Sequence, residues 1–171
     1  EDGHGAEGGN EGFAGPYELP NEKAYCETCA AIANVFWNHR MFLMTGEAKY
    51  IDVLERSLYN NVLSGVSLEG SRFFYPNPLQ SSGQHERSEW FGCACCPSNV
   101  CRFLPSIPGY IYGHDKSTIY VNLYIQDEAD IDFNGSKTQI TQTTDYPWNG
   151  KITVTVNPAE IKYFSVAMRI P

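Results

Sequence analysis

Positive charge is scarce in this sequence. Twelve lysines and arginines face 20 aspartates and glutamates, leaving a net charge of -8 and a pI near 4.9. That balance makes the chain a poor candidate for binding nucleic acid or an anionic membrane. No apolar run reaches the roughly 18 residues of a spanning helix, which excludes a transmembrane segment of that kind. Charged residues make up 19% and hydrophobic ones 42%, so neither a disordered chain nor a coiled coil fits. Cysteine is absent beyond Cys101, and no internal repeat or low-complexity segment is present. The chain does not start with Met, and no basic stretch leads into an apolar one. We therefore read it as part of a longer polypeptide and leave its compartment open. Its 171 residues suffice for one full domain or two small ones with a real core. Aromatic residues are abundant at 13%, enough both to build core and to line a cleft.

Glu1 to Pro20 is rich in glycine and reads as loop. Asn21 offers a helix N-cap with Glu22 in the first turn. Ile32, Val35, Phe36, Phe42 and Leu43 follow at helical spacing until Thr45-Gly46. A second helix is expected from about Glu47 to Leu63, with Ile51, Leu54, Leu58 and Val62 on one face and Gly65 as its stop. Ser71 to Tyr75 reads as a short strand. Pro97 suits the first turn of a third helix reaching Phe103 and Leu104. Beyond Gly109 the pattern changes to short β-branched stretches: Thr118 to Tyr124, Ala129 to Phe133, Thr138 to Thr144, Ile152 to Val156 and Phe164 to Ile170. Asn134-Gly135 and Asn149-Gly150 supply turns between them. Helices followed by strands predict a helical domain and then an all-β sandwich.

The six cysteines fall into two clusters, Cys26-Glu27-Thr28-Cys29 and Cys93-Ala94-Cys95-Cys96-Pro97, followed by Cys101. Three readings fit: disulfides, a structural zinc site assembled by the tertiary fold, and a metal or thiol site that does chemistry. Disulfides are opposed by the adjacency of Cys95 and Cys96, which do not readily bond to each other. Alone, Glu27 reads as a solvated residue in a first helical turn. Beside Cys29 and a remote cysteine pair it also reads as a carboxylate ligand, completing an S3O set suited to zinc. Residues two apart point about 160° apart on a regular helix, so sharing one ion needs an irregular backbone at Glu27. Phe74 and Trp90 read as core, and His39 as a satisfied helix histidine. His4 and His85 lie in loops, and His114 in a turn. Cys26, Cys93 and Cys101 read as small buried thiols with no further role.

Several segments together resemble one known family. Glu11-Gly12-Phe13, Tyr17-Glu18-Leu19-Pro20-Asn21 and Ala24-Tyr25-Cys26-Glu27-Thr28-Cys29-Ala30 come first. Phe74-Tyr75-Pro76-Asn77-Pro78-Leu79, Arg87 to Trp90, Cys95-Cys96-Pro97-Ser98-Asn99 with Arg102, and Tyr120-Val121-Asn122-Leu123-Tyr124 follow in order. The chain resembles glycoside hydrolase family 127, the β-L-arabinofuranosidases, with family 146 as a close relative. The resemblance implies the last helices of an (α/α)6 barrel over residues 1–108 and part of a β-sandwich over 109–171. It implies a retaining, exo-acting hydrolase that releases L-arabinofuranose, with Cys95 as nucleophile and Glu11 as general acid/base. It further implies zinc held by Glu27, Cys29, Cys95 and Cys96, with Tyr75 touching the sugar. The implied partner is a carbohydrate, not nucleic acid or a membrane. A homo-oligomer stays open, because helices without their barrel neighbours expose apolar faces. The chain alone is expected to be inactive. Two other classes remain: a non-catalytic carbohydrate-binding fragment with a structural zinc, and a cysteine-rich redox or disulfide-bonded domain.

Overall fold

The computed structural model describes residues 15–160 and 163–171. The chain divides into two compact units, Glu1–Ser106 and Ile107–Pro171.

In the first unit, helix α1 spans Thr28–Thr45 and α2 spans Ala48–Ser57. The chain continues from α2 through a π-helical segment, Leu58–Leu63, and α3 spans Cys95–Phe103. Helix α1 buries Thr28, Ala31, Ile32, Val35, Asn38 and Phe42, a stripe at three- and four-residue spacing. Ile51, Leu54, Leu58 and Val62 complete the facing side, as their spacing predicts. Leu43 departs from its predicted place and is exposed with Trp37 and Met44 on the other side of α1. Gly46 closes α1 in the left-handed conformation, its amide donating to the Phe42 carbonyl at 2.7 Å. Helix α3 joins α1 through an edge-on contact of Phe103 with Phe36, centroids 5.6 Å apart.

Two expectations fail here. The first helix begins at Thr28 rather than after Asn21. The backbone of 21–26 is engaged elsewhere: the Asn77 amide donates to the Cys26 carbonyl at 3.0 Å and the Leu79 amide to the Asn21 carbonyl at 3.2 Å. Cys26 itself has φ 40°, which a continuous α-helix forbids. Ser71–Tyr75 is no strand either, forming only isolated bridges from Phe73 to Val66 and Ser88.

The second unit opens with a one-turn helix α4, Pro108–Ile111. Its strands are β1 Tyr112–His114, β2 Thr118–Val121, β3 Asp127–Phe133, β4 Ser136–Thr144, β5 Ile152–Pro158 and β6 Ser165–Met168. They form two three-stranded sheets, ordered β1-β2-β6 and β3-β4-β5. All pairs are antiparallel except β2 with β6. His114 therefore lies in a strand, not in a turn. The β3–β4 hairpin closes through Asn134 and Gly135, at φ 53° and 76°, the conformation that an Asn-Gly pair favours. Ile119, Phe133 and Ile140 from both sheets share one core, with Tyr112, Ile131, Val154 and Phe164 around them. Ile140 is fully buried there. Ile140→Ala is expected to cost about 2–5 kcal/mol, measured as a lowered urea midpoint at unchanged slope.

Candidate metal and thiol centre

Two helix starts converge on one point. Glu27 is the N-cap residue of α1 with extended backbone, φ -65° and ψ 135°. Cys29 lies in the first turn of that helix, and Cys95 and Cys96 open α3. The geometric obstacle at Glu27 thus disappears, because Glu27 stands outside the helix and its side chain is not bound to the helical spacing. Glu27 also bridges Pro76 antiparallel, which holds the residue in its extended form.

One ligand atom from each of Glu27, Cys29, Cys95 and Cys96 lies within 4.8 Å of all the others. Cys95 Sγ is 3.8 Å from Cys29 Sγ, 3.9 Å from Cys96 Sγ and 3.5 Å from Glu27 Oε1. Cys96 Sγ is 3.4 Å from the same oxygen. Metal bonds of about 2.3 Å to sulfur and about 2.0 Å to oxygen give tetrahedral edges of about 3.8 Å and about 3.5 Å. The three edges that meet at Cys95 and the edge from Cys96 to Glu27 therefore match an ion of zinc's size. Its charge fits as well: three thiolates and a carboxylate this close cannot all ionise without a cation among them. The three thiols differ in acidity. The Cys96 thiol beside it holds Cys29 down at about 7. Burial pushes Cys95 up to about 11, and contact with the Cys29 sulfur, then burial, pushes Cys96 up.

Exposure differs between the two adjacent cysteines. Cys96 shares the buried face of α3 with Val100 and Phe103, at four- and seven-residue spacing, and is fully buried. Cys95 is turned about 100° away from that face and is part-exposed. Its sulfur also meets the Tyr75 hydroxyl at 2.9 Å.

Tyr75 is brought to the centre by a stitched loop. The Thr28 amide donates to the Tyr75 carbonyl at 3.0 Å, and the Thr28 hydroxyl to the Phe74 carbonyl at 2.9 Å. The Phe74 amide donates to the Gly65 carbonyl at 2.8 Å. A Cβ at Gly65 would stand 3.0 Å from the Thr28 hydroxyl and from the Asn61 carbonyl, so a side chain there requires these neighbours to shift. Phe74 stacks on His85 at 4.8 Å, and the His85 Nε2 is hydrogen-bonded to the Pro76 carbonyl at 2.8 Å. Both residues thus brace the loop.

Other expectations differ from the structure. Trp90 is 64% exposed and not core. Cys93 and Cys101 are exposed, whereas Cys26 is buried, and none of the six cysteines is in a disulfide. Glu11 lies outside the described residues. The bond between Tyr75 and Cys95 has no signal in the sequence, because 20 residues separate them. No helix among the described residues is long and apolar enough to cross a membrane.

Comparison with known proteins identifies the family. Residues 3–109 match the family model for the β-L-arabinofuranosidase GH127 catalytic domain. Residues 118–171 match that for the GH127 middle domain. A non-reducing end β-L-arabinofuranosidase of Bifidobacterium longum subsp. longum is 34% identical over 94% of the chain and 26% of its own length. A solved GH127 β-arabinofuranosidase is 53% identical, with a TM-score of 0.92 over 99% of this chain and 27% of that one. A GH127 β-L-arabinofuranosidase from Geobacillus stearothermophilus T6 is 40% identical, with a TM-score of 0.90 over 99% of this chain and 29% of that one. The chain thus spans about a quarter of the length of these relatives. With two consecutive family models covering the helical and the strand-rich parts in turn, the chain belongs to the GH127 β-L-arabinofuranosidase family.

Proposed function

We propose that this chain carries the thiol and metal half of the active site of a retaining glycoside hydrolase that releases L-arabinofuranose from glycans or glycoconjugates. In this reading residues 1–108 are the end of an (α/α)6 barrel, and 109–171 begin a β-sandwich. The observation that supports it most is the asymmetry of the cysteine pair: one sulfur fully buried, its neighbour part-exposed with a hydroxyl at 2.9 Å.

Glu27, Cys29, Cys95 and Cys96 would hold zinc. Bound there, zinc would keep the coordinating thiols deprotonated at neutral pH. Cys95 is then the nucleophile. Its sulfur lone pair forms a bond to the anomeric carbon while the bond from that carbon to the leaving oxygen breaks. The leaving oxygen takes a proton from the Glu11 carboxyl. In the second half water attacks the same carbon, the carbon–sulfur bond breaks with its electron pair returning to sulfur, and Glu11 takes the proton from water. Two displacements retain the anomeric configuration.

Glu11→Gln in the full-length polypeptide tests the acid. Activity is expected to fall by roughly 100- to 10,000-fold on substrates with poor leaving groups, and much less on activated aryl glycosides. Zinc content should not change. Equal losses on both substrate kinds would remove Glu11 from this role.

A further inference from the structure

Tyr75 has a place at the reacting sulfur that the chemistry above does not use. Its hydroxyl, at 2.9 Å, is nearer to Cys95 Sγ than are the Glu27 oxygen at 3.5 Å, the Cys29 sulfur at 3.8 Å or the Cys96 sulfur at 3.9 Å. The side chain is aimed by its surroundings. Its carbonyl is tied to the Thr28 amide at 3.0 Å. Its ring meets Phe91 edge-on at 5.5 Å and Tyr25 at 6.4 Å.

A cysteine glycosidase faces a difficulty that follows from elementary chemistry. The thioglycoside it forms is a neutral thioether, and breaking it requires the sulfur to leave as an anion. A hydrogen bond to an ionised acceptor is about twice as strong as one to a neutral acceptor. A protonated Cys95 donates to the Tyr75 hydroxyl, but a sulfur without its proton can only accept, so the hydroxyl then becomes the donor and its bond gains strength as the carbon–sulfur bond breaks. It also steadies the resting thiolate, and so does not assist the attack.

We propose that Tyr75 is a catalytic residue whose hydroxyl donates to the Cys95 sulfur as it leaves the sugar, keeping the covalent intermediate from becoming a dead end. This rests on Cys95 being the nucleophile. In this step the electron pair of the carbon–sulfur bond goes to sulfur and the proton of the attacking water goes to Glu11. Tyr75 keeps its own proton throughout. The role differs from a contact with the sugar, because it acts on one of the two displacements and not on substrate binding.

The test compares the full-length enzyme with its Tyr75→Phe variant, which keeps the ring contacts. Rapid-quench kinetics on an aryl L-arabinofuranoside separates the two steps, and intact mass gives the fraction of enzyme carrying sugar. Breakdown is expected to slow by roughly 10- to 100-fold, the range of a hydrogen bond to a charged group. Formation should hold or quicken, so the covalent fraction rises at steady state. Fluorotyrosine at position 75, a stronger donor of nearly the same shape, should do the reverse and speed breakdown. Equal slowing of both steps, or a change in KM alone, would overturn the proposal. Sugar found on Cys95 with an unchanged ratio of the two steps would overturn it too, while leaving the nucleophile in place. Sugar absent from Cys95 in both enzymes would instead overturn the underlying reading.

Discussion

Cys95→Ser in the full-length polypeptide is expected to lose turnover by on the order of 10⁶-fold, the scale on which removal of a covalent nucleophile acts. A serine hydroxyl has a far higher pKa than a thiol, and the carboxylate nearest to it, Glu27 at 3.5 Å, would be engaged as a metal ligand rather than free to act as a base. Glu27, Cys29 and Cys96 would remain to hold the ion, so zinc binding should be weakened rather than abolished. Cys96 is the internal control. It is adjacent in sequence and part of the same cluster, yet it is fully buried on the core face of α3. An arabinofuranose mimic carrying a haloacetamide or a cyclic epoxide should label the enzyme once. Peptide mapping should place the label on Cys95, and excess substrate should protect it. A label on Cys96, or substantial turnover by the serine variant, would shift the nucleophile to a carboxylate or to water.

The second large effect concerns Cys96 as a ligand. Cys96→Ser is expected to lower zinc affinity by at least about 100-fold, an even quarter of the roughly 10–16 kcal/mol that structural zinc sites supply. Removing the metal also leaves the cluster's remaining anions uncompensated where two helix starts meet. Thermal stability should therefore fall with zinc content, and chelation of the unaltered protein should give a similar loss. Elemental analysis after dialysis, paired with melting curves, reads both quantities. Full zinc occupancy in a folded Cys95→Ser/Cys96→Ser double variant would show that the ion sits elsewhere.

Much of the centre is legible in the residues themselves. The two cysteine clusters, with Glu27 between Cys26 and Cys29, mark candidate ligands, with disulfides as a competing reading of the same residues. The helical stripe of Ile32, Val35 and Phe42 and the facing residues Ile51, Leu54 and Leu58 are visible because their three- and four-residue spacing records burial on one side of a helix. Asn134-Gly135 announces its hairpin because few other pairs accept two positive φ angles in succession.

What escapes a reading of the sequence shares one property: it depends on pairings between distant segments. Local capping rules start α1 after Asn21, whereas the amides of Asn77 and Leu79 take carbonyls that a helix there would need. The obstacle to Glu27 as a ligand arises from helical spacing and vanishes once Pro76 holds that residue extended. The 2.9 Å contact of Tyr75 with Cys95 needs Thr28, Gly65 and Phe74 to stitch a loop against the first turn of α1. Residue types and spacings record which side chains are equipped for metal and thiol chemistry, because that depends on the side chains themselves. Which sulfur is buried and which one meets a hydroxyl depends on how α1, α3 and the 73–77 loop pack, because the long-range contacts that set those distances have no local period.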